Sequence, residues 1–103
     1  MNGEFWIEMG ELSTWNDATR RIQRKIIADK VVDADWNSGA QKWIIVKEDG
    51  RVFSLGRLNI PEMEWSRNGA RARWNGMGVL VQERDGSTKW FDERGFLIRV
   101  QKG

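Results

Sequence analysis

The 103-residue sequence predicts a single α+β domain, with one N-terminal amphipathic helix on a curved antiparallel sheet or partly open barrel of two three-stranded meanders. Three observations predict it. Residues 14–28 carry an apolar period of helical spacing, and Asp-Gly and Asn-Gly turn signals recur from residue 49 onward. The third is a phrase written twice. Residues 31–39 read VVDADWNSG and residues 69–78 read GARARWNGMG, so that Arg71 and Arg73 replace Asp33 and Asp35 around a shared Ala-x-Trp-Asn.

Residues 4–9, EFWIEM, alternate as a strand does, with Phe5, Ile7 and Met9 on one face. Thr14 followed three positions later by Asp17 matches a helix-capping pattern, and the helix runs to about Ala28. Its apolar stripe is Trp15, Ala18, Ile22 and Ile26, with Arg20, Arg21, Arg24 and Lys25 on the opposite side. The remaining strands fall at 31–36, 40–48, 51–55, 70–74, 77–84, 87–91 and 96–101. Turns at Asn37-Ser38-Gly39, Asp49-Gly50, Asn75-Gly76, Asp85-Gly86 and Asp92–Gly95 separate them. One domain thus spans 1–103: strand plus helix in 1–30, the first meander in 31–55, a loop in 56–69, and the second meander plus a last strand in 70–101.

Turn geometry sets pairing, and pairing sets which side chains share a face. With two-residue turns at Asn75-Gly76 and Asp85-Gly86, the second meander turns Ala70, Ala72, Trp74, Met77, Val79, Val81 and Trp90 inward. Arg71, Arg73, Gln82, Arg84 and Lys89 then surround Leu80 and Phe91 on the outside. The first meander places Val32, Ala34, Trp36, Ile44, Val46, Phe53 and Leu55 inside, and Asp33, Asp35, Trp43, Ile45 and Lys47 outside. The repeat keeps its inside and changes its outside.

Composition removes several functions. The chain has no cysteine and no histidine, which excludes disulfides, thiolate metal sites and every Ser-His or Cys-His nucleophile pair. The carboxylate pairs Asp33/Asp35, Glu48/Asp49 and Asp92/Glu93 lie in or beside turns, where Asp serves turn chemistry, so no metal, no cofactor and no enzymatic activity is expected. No apolar run reaches the roughly 18–20 residues of a membrane span, and the acidic N-terminus is unlike a signal peptide; a cytoplasmic location without membrane contact is expected. Eleven of the seventeen basic residues are arginine, the side chain suited to bidentate phosphate contacts, and seven tryptophans accompany them.

The leading expectation is a small binding module for nucleic acid or a nucleotide. Its face would comprise Arg71, Arg73, Arg84, Lys89, Gln82 and the exposed ring of Phe91, joined by Arg20, Arg21, Arg24 and Lys25 of the helix. The alternative is a phage or mobile-element-type accessory protein that binds and inhibits a host protein through Trp43, Trp65, Arg67, Asp33 and Asp35. The inverted charges offer two further uses: a homodimer joining the Asp33/Asp35 face to the Arg71/Arg73 face, or Asp–Arg bridges within one chain.

Overall fold

The computed structural model describes residues 4–16 and 23–103, and among them there are eleven β-strands and no α-helix. The first sheet holds β1 (Phe5–Glu8), β2 (Glu11–Asn16) and β3 (Gln23–Ala28). The middle sheet holds β4 (Val31–Asn37), β5 (Lys42–Lys47), β6 (Val52–Leu55) and β7 (Pro61–Ser66). The last holds β8 (Gly69–Asn75), β9 (Gly78–Glu83), β10 (Thr88–Phe91) and β11 (Leu97–Gln101). Each strand pairs antiparallel with its chain neighbour, and the three sheets remain separate layers that do not close into a barrel.

The predicted helix is therefore corrected to a hairpin partner and a third strand. β1 needs a neighbour, and the Met9-Gly10 turn supplies one two residues later, with Met9 at φ 51° and Gly10 at φ 79°. β2 folds back so that Phe5 faces Thr14 and Ile7 faces Leu12. The Thr14 hydroxyl, read as a helix cap, instead donates to the Glu4 carbonyl at 2.7 Å. Sheet pairing has overridden a helical pattern whose apolar members include Trp15 and Ile26, residues equally at home in strands. Two-thirds of the expected 56–69 loop is likewise structured, as a short 3₁₀ turn at Arg57–Asn59 followed by β7.

The core lies in two layers, one on each side of the middle sheet. Along β5, Trp43 and Ile45 pack with Leu12, Val31 and Leu55 against the first sheet. Ile44 and Val46, one residue out of phase, pack with Val52, Ala72, Val79, Val81 and Phe91 against the last sheet. Both faces of the middle sheet are thus buried, which corrects the outward placement of Trp43 and Ile45. The same stacking elongates the molecule to 47 × 27 × 18 Å.

Register explains the other corrections. The β8–β9 turn consists of Gly76 and Met77, because Asn75 pairs with Gly78 and Ala72 with Val81. Every pair moves by two positions from the Asn75-Gly76 reading, so Ala72, Trp74, Val79 and Val81 keep the same face; Ala70 and Met77 become exposed. The Asp85-Gly86 hairpin differs by one position, since Glu83 donates from its backbone to the Ser87 carbonyl at 2.8 Å and a three-residue loop intervenes. Such a slip exchanges faces. Phe91 pairs with Val79 and enters the core, while Trp90 pairs with Leu80 and turns outward.

The two four-stranded meanders repeat down to single hydrogen bonds. Gly50 N–H donates to Lys47 O and Gly86 N–H to Glu83 O, both at 3.0 Å, with both glycines at positive φ. In each loop the aspartate carboxylate accepts the backbone N–H two residues later, Asp49 from Arg51 at 3.0 Å and Asp85 from Ser87 at 2.9 Å. These bonds hold both carboxyls below their ordinary pKa. For Asp49 the backbone bond from Arg51 is the leading cause, and for Asp85 the hydroxyl bond from Ser87. Links between successive sheets repeat as well: Val31 N–H donates to Gly10 O at 2.8 Å, and Gly69 N–H to Gly50 O at 2.7 Å.

These equivalences give each sheet a direction. The middle sheet docks on the first through Trp43, Ile45 and Leu55, and receives the last on Ile44 and Val46. The last sheet docks through Val79, Val81 and Phe91, leaving as its own receiving face the side that bears Leu80, Gln82 and Trp90.

Candidate functional site

The outer face of the last sheet is the one broad strand surface of this meander that no other described sheet covers. Register places Arg71 and Arg73 of β8 opposite Gln82 and Leu80 of β9. Thr88 and Trp90 of β10 lie beyond, and Gln101 and Arg99 of β11 pair with them. Trp90 is half-buried at the centre, and the Arg99 guanidinium lies 4.5 Å from its ring centroid. No strand residue of this face is a carboxylate.

Of the residues expected there, Arg71 and Gln82 are exposed on this face. Arg73 is on it but tied at its edge, with Nη1 2.6 Å from Asp33 Oδ2 and also donating to the Ala72 carbonyl at 2.7 Å. Arg84 sits in the hairpin loop and donates through Nη2 to the Glu48 carbonyl. Phe91 is buried against Trp65, their ring centroids 6.0 Å apart.

Lys89 has also left the face, by the one-residue slip that inverted Phe91. Its Nζ lies 2.7 Å from Glu83 Oε1, while the Ser66 hydroxyl donates to Glu83 Oε2 at 2.8 Å. Burial pushes the Glu83 carboxyl up, but the bonds from Lys89 and Ser66 outweigh it and hold the pKa below the ordinary value. This cluster ties β7, β9 and β10 together. It is a structural crosslink.

The remaining candidates disperse. Arg20 and Arg21 lie outside the described residues; Arg24 and Lys25 fall on β3, in register with Trp15 and Thr14, at the far end of the molecule from the last sheet. Trp43 is 2% exposed and Trp65 9%, so both are core residues and not interface anchors. Arg67 is exposed and pairs with Glu64 at 2.7 Å.

Asp33 and Asp35 are committed within the chain, as the bridged reading of the inverted charges anticipated in part. β8 is an edge strand, and the N–H groups of Ala72 and Trp74 point away from β9. Asp33 Oδ2 accepts the first at 2.9 Å and Asp35 Oδ2 the second at 3.0 Å, while the Trp74 indole N–H reaches the Asp35 carbonyl at 3.2 Å. Two carboxylates of β4 thus close a strand edge that would otherwise stay open. The proposed Asp33/Asp35 homodimer face is consequently occupied by the protein's own β8.

Trp90 and Arg99, with the neutral Thr88 and Gln101 beside them, are the site residues that sequence reasoning missed. A three-residue reading of the Asp85-Gly86 loop, as its glycine in the left-handed region permits, would have found Trp90. No protein-family model matches the chain, and no curated protein sequence matches it.

Proposed function

We propose that this protein is a non-enzymatic binding module that takes single-stranded nucleic acid across the outer face of its last sheet. The observation that carries the reading is Trp90, half-buried with the Arg99 guanidinium over its ring, on a face that also carries Arg71 and the Asp33-paired Arg73 two strands away and that no strand carboxylate shares. Unpaired bases stack on such rings at roughly 1–3 kcal/mol each, and guanidinium groups meet the phosphates between them. Gln82, Thr88 and Gln101 add neutral hydrogen-bonding groups on the same face.

The test is a tryptophan-fluorescence titration with a mixed-sequence single-stranded oligonucleotide at two salt concentrations. Saturable quenching that weakens as salt rises is expected, because each neutralised phosphate releases condensed counterions. Arg71→Ala and Arg99→Ala should each reduce the salt slope by about one unit, and Trp90→Ala should weaken binding by roughly tenfold or more. Affinity unchanged in all three variants refutes the assignment.

A further inference from the structure

A cavity of about 280 Å³ lies where the middle and last sheets meet. Its most buried wall is formed by Trp65 of β7 and Ser54 of β6, which are 9% and 4% exposed. Met63, Trp74 and Met77 add apolar surface, and the more exposed Lys42, Glu62 and Glu93 form the rim. Trp74 and Met63 pack on the core between these two sheets. The cavity is therefore on the inner side of the last sheet, opposite the face that bears Trp90.

Trp65 leaves a hydrogen bond unmade. Its indole N–H is the one buried side-chain polar group among the described residues that has no partner. A buried tryptophan N–H ordinarily finds an acceptor, because removing the donor from water without one is unfavourable. Trp74 shows the ordinary case, its indole N–H donating to the Asp35 carbonyl at 3.2 Å. The rim, by contrast, is set in place. Glu62 Oε2 lies 3.1 Å from Lys42 Nζ, and its other oxygen rests against Gly56, where a Cβ would overlap it. Glu93 has no ion-pair partner among the described residues, so the three rim charges sum to a net negative.

We infer that this cavity binds a single neutral sugar ring, with the Trp65 indole N–H donating to one of its oxygens. An anion would meet the unpaired Glu93, and an ammonium group has no lone pair to accept the indole proton. A hydroxyl meets both demands: it accepts from the indole and donates its own proton to a rim carboxylate or to Ser54. The wall also calls for apolar surface, which the C–H faces of a pyranose present to the tryptophan and methionine side chains. The volume stands near the lower end of ligand pockets, roughly 300–1,000 Å³, and suits one ring. The site shares no residue with the outer face of the last sheet, so it goes beyond the nucleic-acid reading and is independent of it.

The experiment follows the tryptophan indole N–H signals of isotope-labelled protein by nuclear magnetic resonance, with Trp65 and Trp90 each assigned by the signal that its Phe variant loses. The probes are the methyl glycosides of glucose, galactose, mannose and N-acetylglucosamine, added separately up to their solubility. At least one should move the Trp65 signal saturably and leave the Trp90 signal in place. Trp65→Phe keeps an aromatic wall and removes the donor, and should weaken binding by roughly tenfold, read at Trp74. Glu93→Ala, at an exposed loop position, should also weaken it and decides the matter if Trp65→Phe does not fold. A Trp65 signal unmoved by all four glycosides, a shift confined to Trp90, or full affinity in a folded variant of either kind overturns the inference. Oligonucleotide added to the sugar-saturated protein should still move the Trp90 signal; if it does not, the nucleic-acid reading fails and the sugar site stands.

Discussion

Truncating Asp33 to alanine tests what the inverted charges are for. In the structure Asp33 Oδ2 accepts two hydrogen bonds, the Ala72 backbone N–H at 2.9 Å and the Arg73 guanidinium at 2.6 Å. These differ in exposure: Ala72 is fully buried, whereas the Arg73 side chain is 52% exposed. Leaving a buried N–H without its acceptor costs about 1–3 kcal/mol, and a half-exposed ion pair contributes about 0–1. Asp33→Ala should therefore destabilise by about 1–4 kcal/mol, and Arg73→Ala by less than about 1 kcal/mol. In a domain of this length each kcal/mol moves Tm by roughly 4–8 °C, so the two variants separate clearly in a thermal melt. Asp33→Asn keeps an acceptor oxygen and should fall between them. If Arg73→Ala is as damaging as Asp33→Ala, the carboxylate acts through the ion pair, and the argument that it closes the β8 edge is wrong.

Two further outcomes follow from the hairpins and from the buried carboxylate. Gly50 and Gly86 share φ values of +94° and +90°, but a Cβ at Gly50 would lie 2.8 Å from the Arg67 carbonyl oxygen, while at Gly86 nothing comes closer than 3.9 Å. Gly86→Ala should cost about 1–2 kcal/mol for its backbone conformation alone, and Gly50→Ala measurably more by urea denaturation. Glu83, whose pKa is lowered on folding, contributes stability that is present above the ordinary glutamate range and is lost as pH falls through its folded value. Wild-type Tm should drop more steeply than that of Glu83→Gln on acidification below about pH 5, and parallel curves would refute the role given to the Lys89–Glu83–Ser66 cluster.

How much of this was readable depended on whether a turn or a partner decided the outcome. Asp49-Gly50 and Asp85-Gly86 are local signals, and seven strands lie within two residues of where those signals place them. The length of the second loop was not readable from Asp85-Gly86 alone, and that single residue exchanged Trp90 with Phe91. β7 left a trace in the alternation of Met63 and Trp65 with Glu62 and Glu64, and Pro61 is tolerated because it opens the strand. The first sheet was illegible for a different reason. Thr14 suits a helix cap and Trp15 and Ile26 a helical period as well as they suit strands, and only β1 across the hairpin selects the strand. The burial of Trp43 depends in turn on that first sheet, so one misread segment turned a core residue into an apparent surface anchor.

The middle sheet has a consequence for how the molecule holds together. All pairing within sheets is local, and each meander can form from its own stretch of chain. Unity comes instead from the middle sheet and above all from β5, whose Trp43 and Ile45 belong to one apolar cluster and whose Ile44 and Val46 belong to the other, as do Leu55 and Val52 of β6 in turn. A disturbance in the first or last sheet is felt in one cluster; a disturbance in β5 is felt in both. The six residues from Lys42 to Lys47 are thus the point at which a series of semi-independent hairpins becomes a single cooperative folding unit.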